Sequence, residues 1–280
     1  MTSDFDALTS PTLMYVRERW WNDDFTEFLA DTLRPRPGNR ILDVGCGEGL
    51  AEVRISRLQV SQLSLFGVDL MIERVMVARR ETDAHNQRVE LAAADACALP
   101  FRDGVFDSAF CIGTLQHVED VDGAVRELAR VTAAGGRVLA VEPDNGARYV
   151  HTSVPAGRLA FDMSIRFLTA LVRARGDVVA ERVGPRLSTH FSRHGIEPLD
   201  VRLFPVSKTC VGAPPDQLWT RRRADVGRAI ETAPTDAVRA IGRDYLDALD
   251  GYAAEARQAG PGFVEIQNTL LFATVGQRRA

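Results

Sequence analysis

Apolar positions recur along this chain in two rhythms, and each change of rhythm marks a passage between strand and helix. Short apolar runs bounded by glycine or acidic residues read as strands buried on both faces. They are Arg40 to Val44, Leu65 to Leu70, Val89 to Ala96, Ser108 to Gly113 and Arg137 to Pro143. Between them lie segments of helical period. After Asp120, residues Val121, Val125, Leu128 and Ala129 form one apolar face, and Gly135 is placed to cap that helix. Ahead of the first strand, Met14, Val16, Trp20, Trp21, Phe25, Phe28 and Leu29 recur at helical spacing until Pro35 and Pro37. Residues 1–37 are therefore expected to be an N-terminal helical cap. From residue 38 to 280 the alternation of strand and helix predicts one α/β domain, a doubly wound, mostly parallel sheet with helices on both faces.

Two stretches exceed that minimum. Pro155 to Arg175 carries Leu159, Ile165, Phe167, Leu168, Leu171 and Val172, and Asp216 to Gln258 carries Val238, Ile241, Tyr245, Leu249 and Tyr252 on one stripe. They define helical inserts at about 150–178 and 215–258, with the last strands expected at Leu199 to Val206 and Phe263 to Val275. Inserts near the carboxyl ends of strands shape pockets in such sheets, and the Phe, Leu and Met content of these suggests a hydrophobic or aromatic ligand.

The chemistry concentrates in Arg40-Ile-Leu-Asp-Val-Gly-Cys-Gly-Glu-Gly-Leu50. A strand ends in Gly45, Gly47 and Gly49, where absent Cβ atoms let the backbone approach a bound molecule. The dinucleotide fingerprint G-x-G-x-x-G would put its third glycine at position 50, which is Leu50. Asp43, two residues before the first glycine, would repel a pyrophosphate and suits a cationic ammonium or sulfonium.

These residues resemble the class I S-adenosylmethionine-dependent methyltransferases, in particular the small-molecule branch related to ubiquinone/menaquinone C-methyltransferases. The resemblance continues through Leu65 to Leu70, Val89 to Ala96, the run Leu99-Pro100-Phe101 to Phe106-Asp107 with the strand after it, and Leu128 to Pro143. It covers residues 38 to 145 closely and implies a Rossmann-like, seven-stranded sheet. It also implies S-adenosyl-L-methionine as cofactor and S-adenosyl-L-homocysteine as product. By the same analogy the Gly45–Gly49 backbone, with Cys46, packs on the methionine portion while Asp43 orients it. Asp69 binds the ribose hydroxyls, Leu70 or Met71 flanks the adenine, and Asp95, followed by Ala96, accepts from the adenine amine. Cys111 to Gly113, through Ile112, brings a backbone carbonyl near the ammonium group. Tyr15 and Arg19 are candidate contacts from the N-terminal cap. His117, after the fourth strand, is the first candidate for a general base and also borders the cofactor. Glu142 and Asp144 leave the fifth strand at the same edge and are candidates for acceptor contact. Arg148 and Tyr149 are placed to clamp an anionic or aromatic acceptor.

Bulk properties narrow the field. Hydrophobic residues at 45% and charged residues at 26% describe a globular chain. No apolar run approaches the roughly 20 residues that span a bilayer, and the acidic N-terminus lacks a signal core, so a cytoplasmic location is expected. A net charge of −4 argues against nucleic acid as partner. Arg221-Arg222-Arg223 is the one dense basic run and reads as a solvated helix face. Cys46, Cys97, Cys111 and Cys210 lack C-x-x-C spacing and read as buried reduced thiols. His190 and His194 share one helix face but show no third ligand, so no metal is expected. The expectation is a methyltransferase acting on a small molecule in specialised-metabolite biosynthesis, with oxygen slightly favoured as the acceptor atom and the choice between monomer and homodimer open. The alternatives are an NAD(P)-dependent oxidoreductase, or a cyclase or isomerase retaining the cofactor as scaffold.

Overall fold

The computed structural model describes residues 20–85, 88–144, 149–175 and 183–280. They fall into two compact units: 1–146, 180–206 and 270–280 form one, and 147–179 with 207–269 form the other.

The first unit holds the sheet. Helix α1 (Asp23–Leu33) starts where the Asn22 side chain accepts from Phe25 N, with Asp23 and Asp24 complementing the helix dipole. It buries Phe25, Phe28, Leu29 and Leu33. The chain then alternates β1 (Arg40–Val44), α2 (Leu50–Ser56), β2 (Ser64–Asp69), α3 (Ile72–Ala84), β3 (Val89–Ala93) and β4 (Phe106–Ile112). A 3₁₀ turn (Leu115–His117), α4 (Val121–Val131) and β5 (Thr132–Pro143) follow. Strands run in the order β3-β2-β1-β4-β5 and are parallel throughout. Beyond β5 lies the C-terminal part of β8 (Val264–Arg278), antiparallel to it with Val141 opposite Ala273, and β7 (Ile196–Val211) pairs with β8. Among the described residues the sheet counts eight strands, one more than expected, the eighth being Val150–Thr152 paired with β8; α6 (Val183–Arg193) also packs into the core of this unit.

The end of α4 departs from expectation. Asp120 caps its start through Gly123 N at 2.8 Å, but the helix stops at Val131, four residues before the glycine expected to cap it. β-Branched Thr132 turns extended (φ −81°, ψ 136°), and its hydroxyl donates to Leu128 O. Gly135, at φ +77°, instead turns an irregularity where the β4–β5 register jumps between Phe106 and Ser108.

The second unit holds β6 (Val150–Thr152), a short strand that the patterning did not announce, with α5 (Pro155–Arg175), α7 (Asp216–Glu231) and α8 (Asp236–Ala259). The expected second insert is therefore two helices. Met163, Phe167, Leu171, Trp219, Leu249, Tyr252 and Phe263 pack together as the core of this unit, while Leu159, Ile165 and Leu168 of α5 are exposed. The basic run is not simply a solvated face either. Arg222 crosses the Trp219 ring and makes a two-pronged ion pair with buried Glu265, whose carboxylate also accepts from Tyr252 and Gln267. Among the described residues no helix is long and apolar enough to cross a membrane.

Candidate cofactor site

The site forms at the carboxyl ends of β1, β2, β4 and β5. Register sets Asp43 beside Gly67 of β2 and Phe110 of β4, so its carboxyl lies inside the sheet and is 4% exposed. The chain then doubles back, with Gly45 and Cys46 N–H groups both donating to Val68 O at 2.7 and 2.9 Å. Gly45 sits at φ +80°, and a Cβ there would stand 2.2 Å from Thr114 Oγ1. Gly45→Ala combines that overlap with a left-handed backbone costing about 1–3 kcal/mol. It is expected to lower thermal stability and to weaken binding of S-adenosyl-L-homocysteine, measured by melting and by calorimetry. At Gly49 the loop lies against Ala78 of α3, where a Cβ would come within 3.2 Å of the helix backbone.

Asp69 ends β2 and holds the loop in shape. Its Oδ2 accepts from Gly47 N at 2.9 Å and its Oδ1 from Met71 N at 3.0 Å. Leu70 beside it is exposed, and Asp95 accepts from Cys97 N at 2.8 Å with Ala96 half-buried between them. Ala94 N donates to Asp69 O, tying the end of β3 to that of β2. Ile112 and Gly113 end β4, with Gly113 N donating to Val141 O. The structure therefore assembles Asp43, Gly45, Cys46, Gly47, Gly49, Asp69, Met71, Ile112 and Gly113 at one sheet edge.

The candidates for chemistry fare differently. Glu142 was expected to meet an acceptor but is fully buried. Its two oxygens accept from the N–H groups of Thr114, Leu115 and Gln116 at 2.7–3.3 Å, and burial pushes its carboxyl up to about 7. It anchors the turn that carries His117 and is closed to an acceptor by that role. His117 itself is exposed on that turn. Asp144 is buried at the end of β5, its N–H donating to Leu270 O. Tyr149 is exposed and belongs to the second unit. Tyr15, Arg19 and Arg148 lie outside the described residues. The third partner that His190 and His194 lacked in sequence is Asp122, whose Oδ1 lies 2.7 and 2.8 Å from the two rings. Those bonds hold its carboxyl down at about 2. The trio joins α6 to α4, and no group of metal-holding residues is found among the described residues.

Three residues behind the loop went unread in the sequence. Glu52, in α2, is 1% exposed with neither oxygen hydrogen-bonded, and burial, then Asp69, pushes it up to about 8. Arg74 of α3 is buried too, its Nη2 lying 2.6 Å from where a Cβ on Gly47 would stand. Thr114 braces Gly45 through its hydroxyl. An acid or a base in the first turn of a helix reads as ordinary surface charge, so nothing in the local pattern marks them. Asp43, held well above the usual carboxylate range by burial and then by Glu52 and Asp69, keeps Oδ1 unpartnered. Acids outnumber bases around this loop, which leaves a pyrophosphate little counter-charge, while a buried unpaired acceptor at the strand end fits a ligand that donates hydrogen bonds, as an ammonium does.

Comparison with known proteins agrees with that chemistry. Residues 42–140 match the methyltransferase domain family. An O-methyltransferase of Pyrenophora dematioidea is 34% identical over 148 residues, 48% of this chain and 55% of that protein. A demethylmenaquinone methyltransferase of Mycobacterium marinum is 30% identical over 135 residues, 48% of this chain and 53% of that one. The crystal structure of the YcgJ protein from Bacillus subtilis shares the fold with a TM-score of 0.56 at 21% identity, covering 91% of this chain and 98% of its own. The chain spans about half the length of the curated relatives it matches. Glycine loop, acid-lined strand end and sheet order together identify residues 42–140 as a methyltransferase domain of the class I, S-adenosylmethionine-dependent type, related to the quinone methyltransferases.

Proposed function

We propose that this chain transfers a methyl group from S-adenosyl-L-methionine to an oxygen of a small molecule, in the making of a specialised metabolite. The observation that carries the reading is the glycine loop pinned by Asp69 over a buried, unpaired Asp43. The cofactor supplies an electrophilic methyl group on a positively charged sulfur. The protein's part is to hold and orient: Asp69 and the Met71 corner take the ribose end, Gly45–Gly49 the methionine end, and Asp43 the ammonium. Positioning of this kind is worth up to about 7–11 kcal/mol of a displacement barrier. The names of the two relatives, one an O-methyltransferase and one acting on demethylmenaquinone, support a small and apolar acceptor. Of the apolar residues of the inserts, Phe167, Leu171, Leu249 and Tyr252 fill the core of their own unit, while Leu159, Ile165 and Leu168 stay exposed.

His117 is the proposed general base. Glu142 positions it, since three bonds from a buried carboxyl fix the turn on which the imidazole rides. His117→Ala should lower turnover by roughly 10²–10⁴-fold while leaving S-adenosyl-L-homocysteine affinity within a small factor. Loss of affinity with unchanged turnover would make it a binding residue instead. The function as a whole is tested by calorimetry with S-adenosyl-L-homocysteine and NADH in parallel, then by incubation with labelled methyl donor and cell extract. Binding of NADH alone would turn the reading to an oxidoreductase. Binding of the methyl-donor product without any labelled small molecule would turn it to a cyclase or isomerase.

A further inference from the structure

Trp20 lies just ahead of α1 and is only 7% exposed, yet its indole Nε1–H has no hydrogen-bond partner. A buried donor left unpaired costs about 1–3 kcal/mol, so its persistence calls for an explanation. Its ring lies against the end of β4: Cζ3 and Cη2 stand 3.2 and 3.5 Å from where a Cβ on Gly113 would be. The next residue, Thr114, donates to Gly45 O at 3.4 Å, so indole, strand end and glycine loop are contiguous. Asp43 Oδ1, two residues before Gly45, is also buried and unpaired, as are both Glu52 oxygens and Arg74 Nε behind the loop. A free donor and a free acceptor flanking one glycine loop match a ligand that carries a carboxylate and an ammonium on the same carbon.

We propose that Trp20 walls off the methionine end of the donor site and that its indole N–H takes its acceptor from the carboxylate of the bound donor. The proposal rests on the S-adenosylmethionine reading of the loop. It adds a residue that binds through chemistry rather than bulk, since a phenylalanine could cover Gly113 as well but could not donate. Trp21 next to it makes the contrast: it is as deeply buried, and its ring packs edge-on against Phe25 at 5.2 Å in the apolar core.

The chain has three tryptophans, Trp20, Trp21 and Trp219, so the double variant W21F/W219F leaves Trp20 as the sole indole reporter. Titration of that protein with S-adenosyl-L-homocysteine is expected to shift or quench its emission. Calorimetry on W20F is expected to show roughly tenfold weaker S-adenosyl-L-homocysteine binding, the loss of one bond to a charged acceptor. W21F should bind within twofold of the parent. Failure of either readout, in a parent protein that does bind S-adenosyl-L-homocysteine, overturns the role of Trp20 and leaves the cofactor reading intact. A parent that binds none of it overturns both. The emission arm keeps Trp20 in place, so it decides the matter even if W20F proves unstable.

Discussion

Asp69→Ala weakens S-adenosyl-L-homocysteine binding at least tenfold, by calorimetry. The carboxylate has two tasks here, and the substitution removes both. Its oxygens bind Gly47 N and Met71 N, fixing the loop and the first corner of α3. On the proposed reading the same group faces the two ribose hydroxyls. Hydrogen bonds to a charged group contribute about 1.5–3 kcal/mol each, and 1.4 kcal/mol is already a factor of ten in affinity. Asp69→Asn separates the tasks, because the amide can still accept from Gly47 N while its charge is gone. It should fall between parent and alanine variant. Unchanged affinity in Asp69→Ala would remove β2 from the site and with it the direction in which the cofactor lies.

The second large effect concerns stability. Glu52 holds its proton in the folded protein up to about pH 8, because burial in α2 and then the nearby Asp69 oppose its charge. In the unfolded chain the same carboxyl ionises near 4.3. Between those values the folded state binds the extra proton, so its advantage is complete at acid pH and drains away as pH rises through the interval. At about 1.4 kcal/mol per pH decade the loss amounts to several kcal/mol by the time Glu52 ionises. Glu52→Gln keeps the shape and cannot ionise. Urea unfolding at about pH 5, 7 and 9 should show the parent weakening with pH and the variant weakening less, the variant being the more stable at the alkaline end. Asp43 and Glu142 are pushed in the same direction and retain part of the slope. Parallel curves for the two proteins would mean that Glu52 is already charged at neutral pH.

Both effects involve residues at the same loop, yet they were not equally visible beforehand. Asp69 follows a run of apolar residues at the distance from the glycines where a sheet of this kind places its ribose ligand. Glu52 is one charge in the first turn of a short helix, a position where acids usually face water. Its burial comes from the close packing around Gly67, where a Cβ would stand 2.5 Å from Glu52 Oε1 and 3.0 Å from Cys46 Cβ. Glu142 shows the converse. An acid at a strand's carboxyl end suggests substrate contact, but three backbone N–H groups of the following turn reach it first. Whether a carboxyl faces a ligand or a loop depends on where distant backbone ends, which local pattern does not encode.

By itself the sequence determined the alternation of buried strands and amphipathic helices, the glycine loop, and the sign of the charge the loop would tolerate. Those follow from side-chain period, from the missing Cβ atoms and from one acid at a strand end, all local properties. Tertiary structure alone decided which apolar residues of the inserts close on a core of their own and which stay exposed, that α4 gives way to strand before its expected glycine, and that Asp122 joins His190 and His194. It also decided which polar groups stay unpaired beside the loop. Pairing and burial are set by residues far apart in the chain, and only packing brings them within hydrogen-bond reach.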